Sequence, residues 1–435
     1  MGDLLRNYRD HWRVATPAAR HYLFGAVLMG FSQAVTWSLL ARYLEAHGFN
    51  KGEVGDVIAS DAIGKALVAL PAALWLARRS ATTTFMASAF IGGGCYVLLP
   101  WIDGYWQLRA LNLVAGMSLA VHYVMIAPFL FRHTAETERA SIFGLAEATR
   151  TLASVVGALV AGGLVAWLMR RWLPGETGVL EGEALRLHNA AEARATGYAI
   201  MGAGFTAMLA AFQYRRITDG DKKGKRPAAA GEGHVLDELV RHRGTIARFA
   251  FPQLFVAAGS GFCIPFLPLY FKDRFQLAPE PWGQLFAGGQ VLMTFGLLAS
   301  PWVLARLGYV KSIVAIELLS LPFFLLLALS QSLPWAMAAF LLRGALMNST
   351  HPIHKNLMMR ATPSSVRELQ TGINAILWGL GWYIGPKLGG QVLEDTGNNY
   401  AHLMYWTMGC YVLAAVANVV LLLPVERRSA AESAA

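Results

Sequence analysis

Apolar residues fill this chain in blocks of about twenty, the length a helix needs to cross a bilayer core, and short polar or basic stretches separate them. The blocks recur at roughly 22–43, 54–76, 83–102, 106–129, 140–168, 195–214, 248–271, 281–305, 310–330, 334–357, 368–391 and 401–423. The pattern predicts an all-α integral membrane protein of twelve spanning helices.

The longest polar stretch, 215–247, holds Asp221-Lys-Lys-Gly-Lys-Arg-Pro227 and then Gly231-Glu-Gly233. That composition buries no core and reads as a flexible connector. It divides the chain into an N-terminal bundle, 1–214, a C-terminal bundle, 248–424, and a tail, 425–435. The bundles repeat each other in parallel. Gly55 matches Gly283, Pro71 matches Pro301, Arg78 matches Arg306, Arg139 matches Arg367, Gly144 matches Gly372 and Gly157 matches Gly385, all close to one offset. Six helices repeated in parallel imply a pseudo-two-fold axis along the membrane normal and a cavity near the midplane. Gly157 to Gly163 and Gly381 to Gly390 are small-residue tracts, which let helices approach backbone to backbone in lipid.

Composition agrees. With 55% apolar and 15% charged residues, the chain falls well below the charge content of about 25% typical of soluble domains. The formal charge of +10 resides mostly in connections on one side, which fixes orientation by the positive-inside rule and excludes nucleic acid as a partner. The N-terminal stretch has Arg6, Arg9, Arg13 and Arg20 but no cleavable apolar region. The expectation is a multi-pass protein of a bacterial-type inner membrane, monomeric and in contact with lipid, with both termini cytoplasmic. Arg42, Arg109 and Lys272 near outer helix ends read as snorkelling side chains. Cys95, Cys263 and Cys410 lie in apolar spans, lack metal spacing and read as small core residues.

Charges inside the spans carry the functional information, because each needs a partner or a wet cavity. Asp61 and Lys65 share one face of the second span, and Glu147 and Arg150 one face of the fifth. His122 lies in the fourth span at a height similar to Glu147, so that the two are expected to share a proton. Arg343 lies in the tenth. Glu147 is the first candidate for the coupling proton, with Arg150 as competing cation, His122 as tuner and Asp61 as second choice. Lys65, Arg150 and Arg343 outnumber the two mid-membrane acids, which points to an anionic or zwitterionic solute. Trp37, Phe262, Trp378 and Trp382 are candidate stacking surfaces, and Gln33 and Gln290 candidate orienting groups. Asn112, Asn348 and Asn374 are expected to bond between helices, His351 and His354 to form a rim, and Glu317 in the ninth span has no evident partner.

Tyr43 to Phe49, Gly55, Pro71 to Arg79 with its echo Pro301 to Gly308, Glu138-Arg139-Ala140, Arg343 to Asn348 and the Gly385-Pro386-x-x-Gly389-Gly390 tract occur in an order and spacing that resembles the major facilitator superfamily over nearly the whole chain. The resemblance implies a secondary transporter that rocks one bundle against the other. Helices 1, 4, 7 and 10 would line its cavity, and Arg78, Arg79, Arg306, Gly385 and Pro386 would serve the conformational change. Two departures stand out. No Asp precedes the basic pair in Leu74 to Ala77, and the Gly-Pro tract of antiporters is complete in span 11, not span 5. The resemblance is nearest to drug and metabolite exporters, so proton-coupled antiport of a small amphipathic or anionic compound is the leading expectation. Uptake symport of an organic anion and lipid or lysolipid flipping are the alternatives.

Gly64-Lys65 lacks the other residues of a phosphate loop, so ATP is not the energy source. No hydrolase, metal or cofactor motif occurs, and an enzyme is not expected.

Overall fold

The computed structural model of the chain describes residues 16–76, 80–134, 139–173, 182–217, 232–362 and 367–427. Among these it is helical, with no strand. The first six long helices are α1 (Pro17–Ala46), α2 (Lys51–Leu76), α3 (Ala81–Leu98), α4 (Tyr105–His133), α5 (Arg139–Trp172) and α6 (Gly182–Tyr214). Then come α7 (Glu232–Cys263), α8 (Pro279–Leu307), α9 (Tyr309–Leu329), α10 (Leu333–Ala361), α11 (Arg367–Asp395) and α12 (Tyr400–Ala417). After α7 a 3-10 turn at Ile264–Phe266 leads into a short helix, Leu267–Phe275, and after α12 a π-turn spans Asn418–Leu422.

Local sequence sets several boundaries. Thr16 accepts a hydrogen bond from the Ala19 amide through its hydroxyl, and Pro17 occupies the first turn of α1, the arrangement in which a missing N–H costs nothing. Gly308, at φ +78°, turns the chain between α8 and α9 in a conformation that side chains with a Cβ disfavour. The Glu426 carboxylate accepts the freed Tyr309 and Val310 amides at 2.6 and 3.1 Å, where a negative charge suits the helix N-terminus. Two helices start earlier than the apolar pattern indicates. α6 begins at Gly182, through Glu183, Arg186, Glu192 and Arg194, and α7 begins at Glu232. A polar first turn is no obstacle where a helix projects beyond hydrocarbon.

Nine helices among the described residues are long and apolar enough to cross a membrane. The other three long ones, α2, α10 and α11, carry Asp61 and Lys65, Arg343 and His354, and Gln370 and Asn374. Protein neighbours or water, not lipid, must therefore surround parts of these three.

The chain forms two compact units. The first comprises Met1–Asn50, Leu67–Lys225 and Phe271–Ala287; the second comprises Lys51–Ala66, Arg226–Tyr270 and Gly288–Ala435. α2 and α8 are each divided between them. In the first unit, Tyr22, Phe85, Phe129 and Tyr214 form a ring cluster with centroid separations of 5.2 to 6.2 Å, and α3 and α6 meet at Gly93 and Gly204, backbone on backbone. In the second, α7 packs along α11 at Gly261 and Gly385, and Tyr411 meets Phe324 edge-on at 5.4 Å.

One contact occurs twice with the repeat offset. In the second unit, the start of α2 lies on α11, with Gly55 against the Pro386 carbonyl and Gly390 against Lys51 and Gly52. In the first unit, the start of α8 lies on α5, with Gly283 against the Ala158 carbonyl and Gly162 against Pro279 and Glu280. Each residue of the first set is equivalent to one of the second in the repeat. A Cβ at Gly283 would stand 2.5 Å from that carbonyl oxygen, whereas one at Gly163 would meet nothing within 4 Å. Gly283→Leu is therefore expected to cost about 1–3 kcal/mol through overpacking, read as a lower Tm in detergent, and Gly163→Leu to leave Tm unchanged.

Candidate functional site

Four polar side chains of the first unit meet at mid-helix. On α5, Arg150 donates to Glu147 through Nε at 3.1 Å and through Nη2. On α4, the Tyr123 hydroxyl donates to Gln33 Oε1 of α1 at 2.6 Å. The two pairs are neighbours, since Arg150 lies within electrostatic reach of both Tyr123 and Tyr22. Gly30, one turn before Gln33, packs on the Arg150 backbone and so lets α1 and α5 come this close. The side chains are not sealed. Glu147 is 56% and Arg150 31% exposed, and Tyr123 and Trp37 are exposed as well. Charged groups open to their surroundings at mid-span must line a wet path.

His122 is not part of this cluster. The residue before Tyr123 points about 100° around the helix from it, and His122 is buried, with Nδ1 3.2 Å from Ser88 Oγ and its ring against Phe85 and Tyr214. Its distance from Glu147 in sequence, and their similar height, said nothing about which faces they occupy. A small cavity lined by Ser32, Gln33, Ser88, Tyr96 and Ser118 lies between the two regions.

The remaining expected residues scatter. Lys65 donates to Asp61 at 2.5 Å along α2, a pair neutralised within its own helix. Arg343 is buried in α10 with its guanidinium over the Phe324 ring at 5.2 Å, and its Nε has no hydrogen-bond partner. Phe262 stacks on Trp406 at 6.1 Å, Trp378 meets His351 edge-on at 5.2 Å, and Trp382 and Gln290 are half-buried. Arg306 lies over the Trp302 ring at 3.9 Å, Gly385 and Pro386 press on Gly261, and Arg78 and Arg79 fall outside the described residues. Asn112 and Asn348 bond to carbonyls of their own helices, while Asn374 reaches Met358 of α10. His354 is buried against Phe249 and does not form a rim. The repeat relates Tyr123 and Arg150 to His351 and Trp378. One unit thus has a hydroxyl and a guanidinium where the other has an imidazole and an indole.

A second charged group escaped the sequence reading. Arg42, expected to snorkel, is buried, and its Nε donates to Glu192 at 2.8 Å while Nη1 donates to the Leu277 carbonyl at 2.9 Å. Lys272 lies 2.9 Å from Glu45 and 3.3 Å from Glu192. The Trp282 indole donates to the Ser38 carbonyl at 2.9 Å. These bonds tie 271–287 to the ends of α1 and α6 within the first unit. Glu192, which lies before the sixth apolar block, is 1% exposed with two cations on it. Its only sequence signal was a carboxylate flanked by alanines, Ala191 and Ala193, in a helix-forming stretch.

The family model described as Major Facilitator Superfamily matches residues 22–386 and again 249–435. Solved structures share the fold at low identity. A bacterial homologue of the human lysosomal transporter Spinster, inward-facing and occupied, has a TM-score of 0.69 at 13% identity, covering 95% of this chain and 96% of its own. The nucleoside transporter NupG gives 0.72 at 12%, covering 94% and 99%. A D-xylose–proton symporter gives 0.67 at 13%, covering 92% and 96%. No curated protein matches the sequence.

Glu192→Gln leaves Arg42 buried without its counter-charge, while Lys272 keeps Glu45. Breaking a buried pair costs about 3–5 kcal/mol, so Tm should fall, and adding Arg42→Gln should recover part of the loss. A Glu192→Gln protein as stable as the parent would show that the network contributes nothing.

Proposed function

The chain belongs to the Major Facilitator Superfamily and is a multi-pass secondary transporter that works by alternating access, not an enzyme; we propose that its solute is a small amphipathic organic anion, coupled to protons through Glu147 and Arg150. The observation that carries this reading is the half-exposed cluster of Gln33, Tyr123, Glu147 and Arg150 in the middle of three spans. An anion that engages Arg150 takes the counter-charge from Glu147. An unpaired carboxylate in a partly desolvated site then gains a proton, so solute and proton are held together. Loss of the proton restores the Glu147–Arg150 pair and expels the anion. Trp37 in the same unit offers aromatic surface for the apolar part of the solute, and the D-xylose–proton symporter with the same fold lends support to proton coupling. Asp61 with Lys65 is the second candidate pair.

This scheme favours symport. Export by antiport is the second reading, and the complete Gly385-Pro386-x-x-Gly389-Gly390 tract in α11 favours it. In either case the reading takes the chain as a monomer in the inner membrane of a bacterial-type cell with both termini cytoplasmic, which the basic connections favour. The first unit's network of Arg42, Glu45, Glu192 and Lys272 then lies at the outer ends of α1 and α6, where it would act as an ionic latch.

Proteoliposomes enclosing a pH dye, challenged with organic anions, zwitterions and cations, test the assignment. Anions are expected to move protons with the parent protein. Glu147→Gln should abolish proton movement, and Arg150→Gln should weaken anion binding about tenfold or more, the loss of one charge-assisted hydrogen bond of about 1.5–3 kcal/mol. The sign of the pH change separates symport from antiport. Proton movement by Glu147→Gln equal to the parent's, or competition by cations alone, would refute the reading.

A further inference from the structure

Glu317 lies in the middle of α9 with 1% of its surface exposed. Among the described residues its carboxylate has one hydrogen-bond partner, Asn418, whose Nδ2 is 3.1 Å from each carboxylate oxygen. No cation among the described residues forms an ion pair with it. Asp61, Glu147 and Glu192, by contrast, each have a Lys or Arg in salt-bridge contact. The charged or titratable groups on the elements packed against α9 include Arg343, His351, His354, Lys355 and Arg360 on α10, Tyr400, His402, Tyr405, Cys410, Tyr411, Glu426 and Arg427 on and after α12, and Tyr270, which donates to the Leu327 carbonyl. None bonds to the Glu317 carboxylate.

Asn418 carries the second observation. With Nδ2 turned to the carboxylate, its Oδ1 is buried and has no partner. A half-turn of the amide exchanges the two ends. Oδ1 then faces the carboxyl group, and only a protonated Glu317 has a hydrogen to donate to it. One amide orientation therefore fits the ionised acid and the other the neutral acid. Asn418 is also the first residue of the π-turn, an interruption of helical bonding found frequently at functional sites.

We propose that Glu317 is a proton-binding site within the second unit, occupied as the neutral acid donating to Asn418 and emptied by a turn of the Asn418 amide. Burial without a counter-charge favours the neutral form. The Asn418 amide, with Nδ2 3.1 Å from each carboxylate oxygen, opposes it by donating to the ionised form. An acid favoured neutral by burial and ionised by a donated hydrogen bond holds a proton it can exchange. The proposal does not depend on Glu147 or on the chemistry of the solute.

Infrared spectra of the full chain in lipid bilayers at neutral pH decide it. The protonated-carboxyl carbonyl band should be present in the parent protein, lost in Glu317→Gln and displaced in frequency in Asn418→Ala, because the hydrogen bond to that carbonyl group changes. If Glu317→Gln removes only ionised-carboxylate absorbance, the proposal is wrong. Should that variant fail to fold, Asn418→Ala decides alone: a displaced protonated-carboxyl band supports the site, and an unaltered one refutes it.

Discussion

Every element of this protein answers to the cost of a polar group in hydrocarbon. Backbone amides and carbonyls are satisfied inside helices, so helices can associate only by close packing and by polar contacts. Glycine supplies the closeness. Gly93 on Gly204, Gly261 on Gly385, Gly55 on Pro386 and Gly283 on Ala158 each place one helix backbone directly on another. Two of these contacts are the same contact, repeated along the chain.

The same cost governs the side chains. Asp61 with Lys65 and Glu147 with Arg150 neutralise within one helix and can enter a membrane together. Arg42 with Glu192 neutralises only after folding, and is correspondingly buried. Arg343 and Glu317 have no opposite partner at all among the described residues, and one ring or one amide takes its place. The degree of neutralisation thus grades these groups from pairs that enter the membrane already balanced to single charges that depend on the folded bundle.

Much of this was legible in the sequence, for reasons that mark where legibility stops. The twelve helices and their repeat follow from block length and register, which are local properties. Asp61–Lys65 and Glu147–Arg150 were legible because partners three and four residues apart must share a helix face. Arg42–Glu192 spans 150 residues and Glu317–Asn418 spans 101, and no local rule connects such pairs. His122 shows the converse error. The expectation rested on similar height along two helices, but facing direction depends on how α3, α4 and α6 pack, and His122 turned to Ser88.

The claim that glycine closeness holds these helices together is tested most directly by distance measurement between spin labels at positions 53 and 394, beside the contact of Gly52 with Glu394 within the second unit. In lipid bilayers the parent protein should give one short distance and Gly55→Leu, whose side chain would meet the Pro386 carbonyl, a longer one. The same short distance in both would contradict the account.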